Sequence, residues 1–441
     1  MSTQQGREGE PKGKRTATDP ARSGMFLRPP LATKRKPSPR SRSRRLGVWL
    51  FGAYGGLATT TVVGARAIAK GLAAPQGLTT ETDIARDIPW RPFDKLVFGG
   101  HEIRAGDYPS AAAEIHRKNG TLPLELLQPL RRDLLAQSRN VQPGVLPNAG
   151  ATIARLADRR TPKRSLRRQI EQIAHDLQQF QTRHRLERVV CVNLTSTEPA
   201  LRLGPAHRSR AAFERALDRN QEGIVRPSAL YAYAAATSGM PFVHFTPSNS
   251  ALTPALEEVF ADSGAPFMGC DGKTGETLVK SALAPMFRYR NLKVLTWQGY
   301  NILGDRDGHV LADQENKRSK VESKDALLPA ILGYPLHTHV GIDYVPSLHD
   351  LKTAWDFVHF EGFLGYKMAL QFIWQGCDAI LAAPLVLDLI RFADLAAARG
   401  ESGPMPHLAC FFKQPFGVDE HDLHRQWHML GEYLDRVRSE A

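Results

Sequence analysis

The apolar positions of this chain come first in short solid runs and later in alternation, and the change falls near residue 266. Leu46 to Phe51, opening "LGVWLFGAYGGLATTTVVGARAIAKGL" (46–72), reads as a buried strand. A glycine turn follows at Gly52, Gly55 and Gly56, then a small-residue helix ending near Gly71. "KLVFGGHEI" (95–103) is a second short strand, and residues 110–187 read as largely helical and polar. "RVVCVNLTSTEP" (188–199) is another buried strand ending in polar residues. "PFVHFTPSNSALTPAL" (241–256) repeats the plan of strand, polar turn and helix. Beyond 266, "NLKVLTWQGYNILG", "HTHVGIDYVPSLHD" and "AWDFVHFEGFLGYKMALQFIWQG" alternate, with broad aromatic faces suited to one large sheet. "DAILAAPLVLDLIRFADLAA" (378–397) returns to a helix whose Leu/Ile/Ala stripe is most simply core packing.

Composition changes this picture little. Apolar residues are 42% and charged residues 23% of the 441, ordinary values for a soluble protein. No apolar run reaches the roughly 18 residues of a membrane span. The cysteines, Cys191, Cys270, Cys377 and Cys410, show no metal spacing, so reduced thiols in a cytoplasmic protein are expected. The net charge of +13 resembles a nucleic-acid signal until it is located. Residues 1–45 hold 13 Lys/Arg against 3 Asp/Glu, leaving only +3 elsewhere. That Pro/Ser/Arg-rich tail is expected to be disordered, and nucleic acid is an expected partner only through it.

Candidate chemistry collects at strand ends and turns. The G-x-x-G-G pattern of Gly52, Gly55 and Gly56 serves either a dinucleotide pyrophosphate or a tight strand–helix turn. Glu102, beyond the second strand, can accept ribose hydroxyls and repel a 2′-phosphate, although it lies about 50 residues on, not about 20. Ser196 and Thr197 stand at the carboxyl edge of their strand, where open α/β sheets bind ligands. Ser248, Asn249 and Ser250 read as a helix start that would receive an anion, or as a plain cap. Lys273 adds a cation, Asp271 an acceptor, and Asn301 and Asp307 further polar groups in "YNILGDRDG". In "SKVESKDALL" (319–328), Ser319 and Glu322 form a capping-box spacing that puts Lys320 and Lys324 on one helix face. A helix N-terminus depresses a lysine pKa, which suits proton transfer; the plain alternative is a solvated basic turn. "HTH" (337–339) lacks a third ligand, so no metal site is assigned.

These segments, with "GCDGKTGETLVKS", "HDLKTAWD" and "LAAPLVLDL", resemble in order and spacing the myo-inositol-1-phosphate synthase family, over about 46–417 and in its bacterial form. The resemblance implies conversion of D-glucose 6-phosphate to 1D-myo-inositol 3-phosphate with NAD regenerated in each cycle. C5 is oxidised, C6 loses a proton and attacks C1, and the ketone is reduced again. It assigns Lys320 to the C5 hydroxyl proton, Lys324 to phosphate and O5, and Lys352 and Lys413 to developing oxyanions. Asp350 would hold Lys352. The cofactor set becomes Gly52, Ala53, Gly55, Gly56, Thr59, Glu102, Ser196, Thr197, Ser248, Asn249, Asp271, Lys273, Asn301 and Asp307. The implied fold is α/β: a Rossmann-type NAD-binding domain from 46–265, an inserted α+β catalytic and oligomerisation domain from 266–375, and a return of 376–441 to the first. A homotetramer and a monovalent or divalent cation are also implied. An NAD-dependent sugar-phosphate dehydrogenase, or a relative acting on another sugar phosphate, remains the alternative.

Overall fold

A computed structural model describes residues 44–158, 164–304 and 327–440. Lys320, Lys324 and Asp307, with the helix start expected at Ser319, lie outside the described residues.

The described strands are β1 (Leu46–Phe51), β2 (Leu96–Glu102), β3 (Val141–Pro143), β4 (Arg188–Asn193), β5 (Phe242–His244), β6 (Pro266–Gly269), β7 (Lys293–Leu303), β8 (His337–Tyr344), β9 (Leu351–Glu361), β10 (Lys367–Cys377) and β11 (Gly403–Pro404). Among the described residues they make two sheets. The first is parallel, in the order β11-β6-β5-β4-β1-β2-β3. Reversal of direction at β1 gives the doubly wound, Rossmann-like plan, whose ligand crevice lies at that switch point.

β1 is buried along its whole length. Leu46, Val48 and Leu50 join one core with Phe98 and the helices Gly56–Ala69 and Asp378–Ala398. Trp49 and Phe51 join the opposite core with the helices Leu166–His184, Pro227–Thr237 and Pro254–Ser263. Residues two apart share a strand face. A six-residue apolar run is therefore what a strand needs when helices cover both faces.

The parallel sheet extends past residue 265, because β6 pairs with β5 and β11 pairs with β6. The second sheet, β10-β9-β7-β8, is mixed: β7 runs parallel to β8 and antiparallel to β9. Its inner face packs Val294, Trp297 and Val358 against Ala284 and Phe287 of the helix Gly275–Tyr289. No helix among the described residues is long and apolar enough to cross a membrane.

Candidate active site

At the carboxyl ends of β1, β2 and β4 lies a cavity of about 580 Å³. Gly52, with φ of +85°, turns the chain out of β1, and Gly55 caps the helix Gly56–Ala69 without a side-chain bond. The first turn of a helix has N–H groups with no partner inside it, so this end favours an anion. Gly52, Gly55 and Gly56 line the cavity. Ala53 and Thr59 do not; both are fully buried behind the turn.

Glu102 is the last residue of β2, beside that turn. Its Oε2 accepts from the Tyr54 amide at 2.6 Å, and Oε1 from the Ile103 and Arg104 amides at 2.9 and 3.1 Å. The sequence distance from the glycines is long because the loop over residues 70–95 intervenes before β2, while the sheet makes the two strands neighbours. Its neighbour His101 donates to Asp176 and accepts from Trp49 Nε1; burial lowers its pKa and keeps the ring neutral. Ser196 and Thr197 also line the cavity, beyond β4.

The far wall comes from later segments. Residues 270–273 pair with 411–414 through Cys270 N to Gln414 O (2.8 Å), Lys413 N to Asp271 O (2.7 Å) and Lys273 N to Phe411 O (2.8 Å). This pairing sets the Lys413 ammonium 2.9 Å from Asp271 Oδ1, and both residues line the cavity. Thr274, N-cap of the helix Gly275–Tyr289, lines it too, so a second helix N-terminus faces the same space.

Several expectations need correction. Lys352 is held by Asp378 Oδ2 at 3.2 Å, whereas the Asp350 carboxylate accepts from Asn119 Nδ2. Asp350 stands in the turn before β9, just after His349 with φ of +50°, so the strand spacing that would align it with Lys352 does not extend to it. Asp378 opens the helix after β10 and lines the cavity; an acid in a first helical turn was its only sequence signal. Asp350 also lines the cavity, and burial raises its pKa.

Ser248 and Asn249 are not at a helix start, since that helix begins at Pro254. Ser248 Oγ accepts from the Glu198 amide, and Asn249 brackets the backbone of Leu201. They fold the 198–201 loop. Lys273 points away from the cavity into the interior, 2% exposed, and donates to Gln426. Burial lowers its pKa to about 8, with a smaller push from Lys413. Asn301 is buried beneath the second sheet and donates to Glu276 Oε2 at 2.6 Å. Among the described residues no group of three or more His, Cys, Asp or Glu is placed to hold a metal.

Fold and site together define a Rossmann-type, nucleotide-binding class of protein with an added sheet, whose cavity at the switch point is also lined by Lys413, Asp271 and Asp378. The sequence profile described as Myo-inositol-1-phosphate synthase matches residues 46–435. Inositol-3-phosphate synthase 1 of Bacteroides thetaiotaomicron is 35% identical over 420 residues, covering 90% of this chain and 96% of that one. Inositol-3-phosphate synthase of Spirodela polyrhiza is 30% identical, over 70% of this chain and 62% of its own. The crystal structure of the Caenorhabditis elegans inositol-3-phosphate synthase shares the fold, with a TM-score of 0.79 at 22% identity, covering 89% of this chain and 85% of that one. This chain belongs to the myo-inositol-1-phosphate synthase family.

Proposed function

We propose that this chain converts D-glucose 6-phosphate to 1D-myo-inositol 3-phosphate in a redox-neutral, NAD-dependent cyclisation. The observation that best supports the reading is one convergence. The glycine turn after β1, Glu102 at the end of β2, the Lys413–Asp271 pair and Asp378, which holds Lys352, all line one cavity or hold a residue beside it.

The residues fit NAD. Gly52, at φ of +85° with a Cβ position 2.9 Å from Leu194 O, requires glycine, and a Cβ at Gly55 would crowd Gly52 O at 3.1 Å in the turn that offers backbone to a pyrophosphate. Glu102, already turned toward the Tyr54 amide, accepts ribose hydroxyls, while Ser196 and Thr197 supply further hydroxyls. When bound, NAD supplies reversible hydride acceptance. The substrate phosphate is received by the N-terminus of the helix Gly275–Tyr289, next to Thr274. Lys413, steadied by Asp271, and Lys352, steadied by Asp378, stabilise negative charge as it develops on substrate oxygens. Lys320 as proton acceptor and Lys324 as phosphate and O5 contact follow from the resemblance. So do a homotetramer and an assisting monovalent or divalent cation, while a cytoplasmic setting follows from the four free cysteines.

The test is incubation of purified protein with glucose 6-phosphate and NAD, with the product identified by NMR. Inositol phosphate without net NADH supports the reading. NADH formed mole for mole with an acyclic or lactone product would make the protein a sugar-phosphate dehydrogenase.

A further inference from the structure

Beneath the second sheet, away from the cavity surface, four polar side chains from three elements meet in the interior. Lys280 and Glu276 lie one turn apart on the helix Gly275–Tyr289, Asn301 is on β7 and Asp356 on β9. None is more than 3% exposed. The Lys280 ammonium lies 2.5 Å from Glu276 Oε1 and 3.3 Å from Asp356 Oδ1. Trp297 Nε1 donates to Asp356 Oδ1 at 2.7 Å, and Asn301 Nδ2 to Glu276 Oε2 at 2.6 Å. β7 passes this knot at Gly299, where a Cβ would lie 2.4 Å from Glu276 Oε1 and 2.7 Å from Lys280 Nζ. Any larger residue would push the charges apart.

Adhesion does not explain the knot. The helix is already fastened to the sheet by Phe287, Trp297 and Val358. A buried ion cluster is commonly no more stable than an apolar one of the same volume, and its value lies in fixed geometry. Among the described residues, Asp356 Oδ2 and Asn301 Oδ1 of this cluster are buried without a hydrogen-bond donor, a cost that stability alone would not retain.

Its two ends lead to the cavity, one through Thr274 and the other through Lys352 and its partner Asp378, which lines it. Glu276 is two residues from Thr274, at the helix end that lines the cavity. Asp356 and Lys352 are both on β9 and, four residues apart, share its inner face. We propose that Lys280 is a positioning residue: its ammonium, clamped between Glu276 and Asp356, holds the cavity-facing start of the helix and the Lys352-bearing strand in one register. The inference rests on the functional reading above only for what that register serves.

The test removes the clamp without stranding a charge. Lys280→Met alone leaves two carboxylates facing each other, so the decisive variant is the neutral triple Lys280→Met/Glu276→Gln/Asp356→Asn. The full chain is followed by its thermal unfolding midpoint, its NAD affinity, its turnover on glucose 6-phosphate and the acetylation rate of Lys352 by acetic anhydride, read by peptide mass spectrometry. The expected result is a cooperatively folded protein that binds NAD as the parent does. Its Lys352 acetylates roughly tenfold faster, as expected when an ammonium loses a charge-assisted bond. Turnover falls, and adding Lys352→Ala costs much less than it does in the parent, since residues acting as a unit are not additive. Unchanged Lys352 acetylation overturns the proposal whatever the turnover, and so does a triple variant that no longer folds. A parent protein that forms no inositol phosphate counts against the functional reading alone, because acetylation still decides the register.

Discussion

Lys413 lies on an irregular segment, and its ammonium is aimed only by the antiparallel pairing of 411–414 with 270–273 and by Asp271. Lys413→Ala is expected to lower turnover roughly 100-fold while NAD binding persists, the scale of losing one oxyanion donor. Steady-state kinetics beside NAD titration checks this. Asp378→Asn removes a charged partner of Lys352 and is expected to cost about tenfold in kcat, one lost charge-assisted bond. Asp350→Asn should cost less, because its carboxylate is engaged by Asn119. Equal losses from the two would return Asp350 to the role expected of it. At the same scale, His407 stacks on Tyr433 with ring centroids 3.5 Å apart, and burial, aided by Arg436, pushes its pKa down to about 3. Below the unfolded value of about 6.5, the unfolded chain takes up a proton that the folded one refuses, so stability is lost as pH falls. His407→Phe should remove this loss, gaining about 2 kcal/mol on the parent between pH 6.5 and 5 in denaturant unfolding.

The glycine turn joins β1 to the helix Gly56–Ala69, and its function depends on backbone shape more than on any side chain. Gly55→Val is expected to weaken NAD binding by about tenfold or more, because a β-branched residue stands where backbone must meet pyrophosphate. Calorimetric titration decides it; normal affinity would make the turn purely structural. Most elements were legible. The strand expected from Leu46 to Phe51 is observed with those limits, and the helix expected at 378–397 runs from Asp378 to Ala398. The elements announce themselves because burial on two faces requires unbroken apolar runs, and burial on one requires a stripe. The 248–250 turn was less legible. Serine and asparagine satisfy loop backbone as readily as they cap a helix, and their partners, Glu198 and Leu201, lie about fifty residues away.

At the scale of the molecule, the outer face of the second sheet exposes Tyr300, Trp355 and Ile373, and the β9–β10 turn exposes Phe363, Leu364 and Tyr366. Ile373 is 68% and Leu364 88% exposed, more apolar surface than a solitary domain usually leaves to water. We propose that copies of this chain cover it in a homotetramer. Sedimentation at micromolar concentration should show the tetramer, and Ile373→Asp should shift it toward smaller species; a monomeric parent would sink the assignment.

Local pattern determined the individual strands, the glycine turn and the placing of Ser196, Thr197 and Glu102 near strand ends, since each depends on residues close in sequence, while the class of fold came with the family resemblance carried by those same segments. Tertiary structure decided who meets whom. It took Lys352 from Asp350 and joined it to Asp378, turned Lys273 inward to Gln426, and set Asn301 in a buried knot with Glu276. Those contacts join segments 25 to 153 residues apart. Side-chain direction across such distances follows from how sheets and helices pack, which no local run of residues encodes.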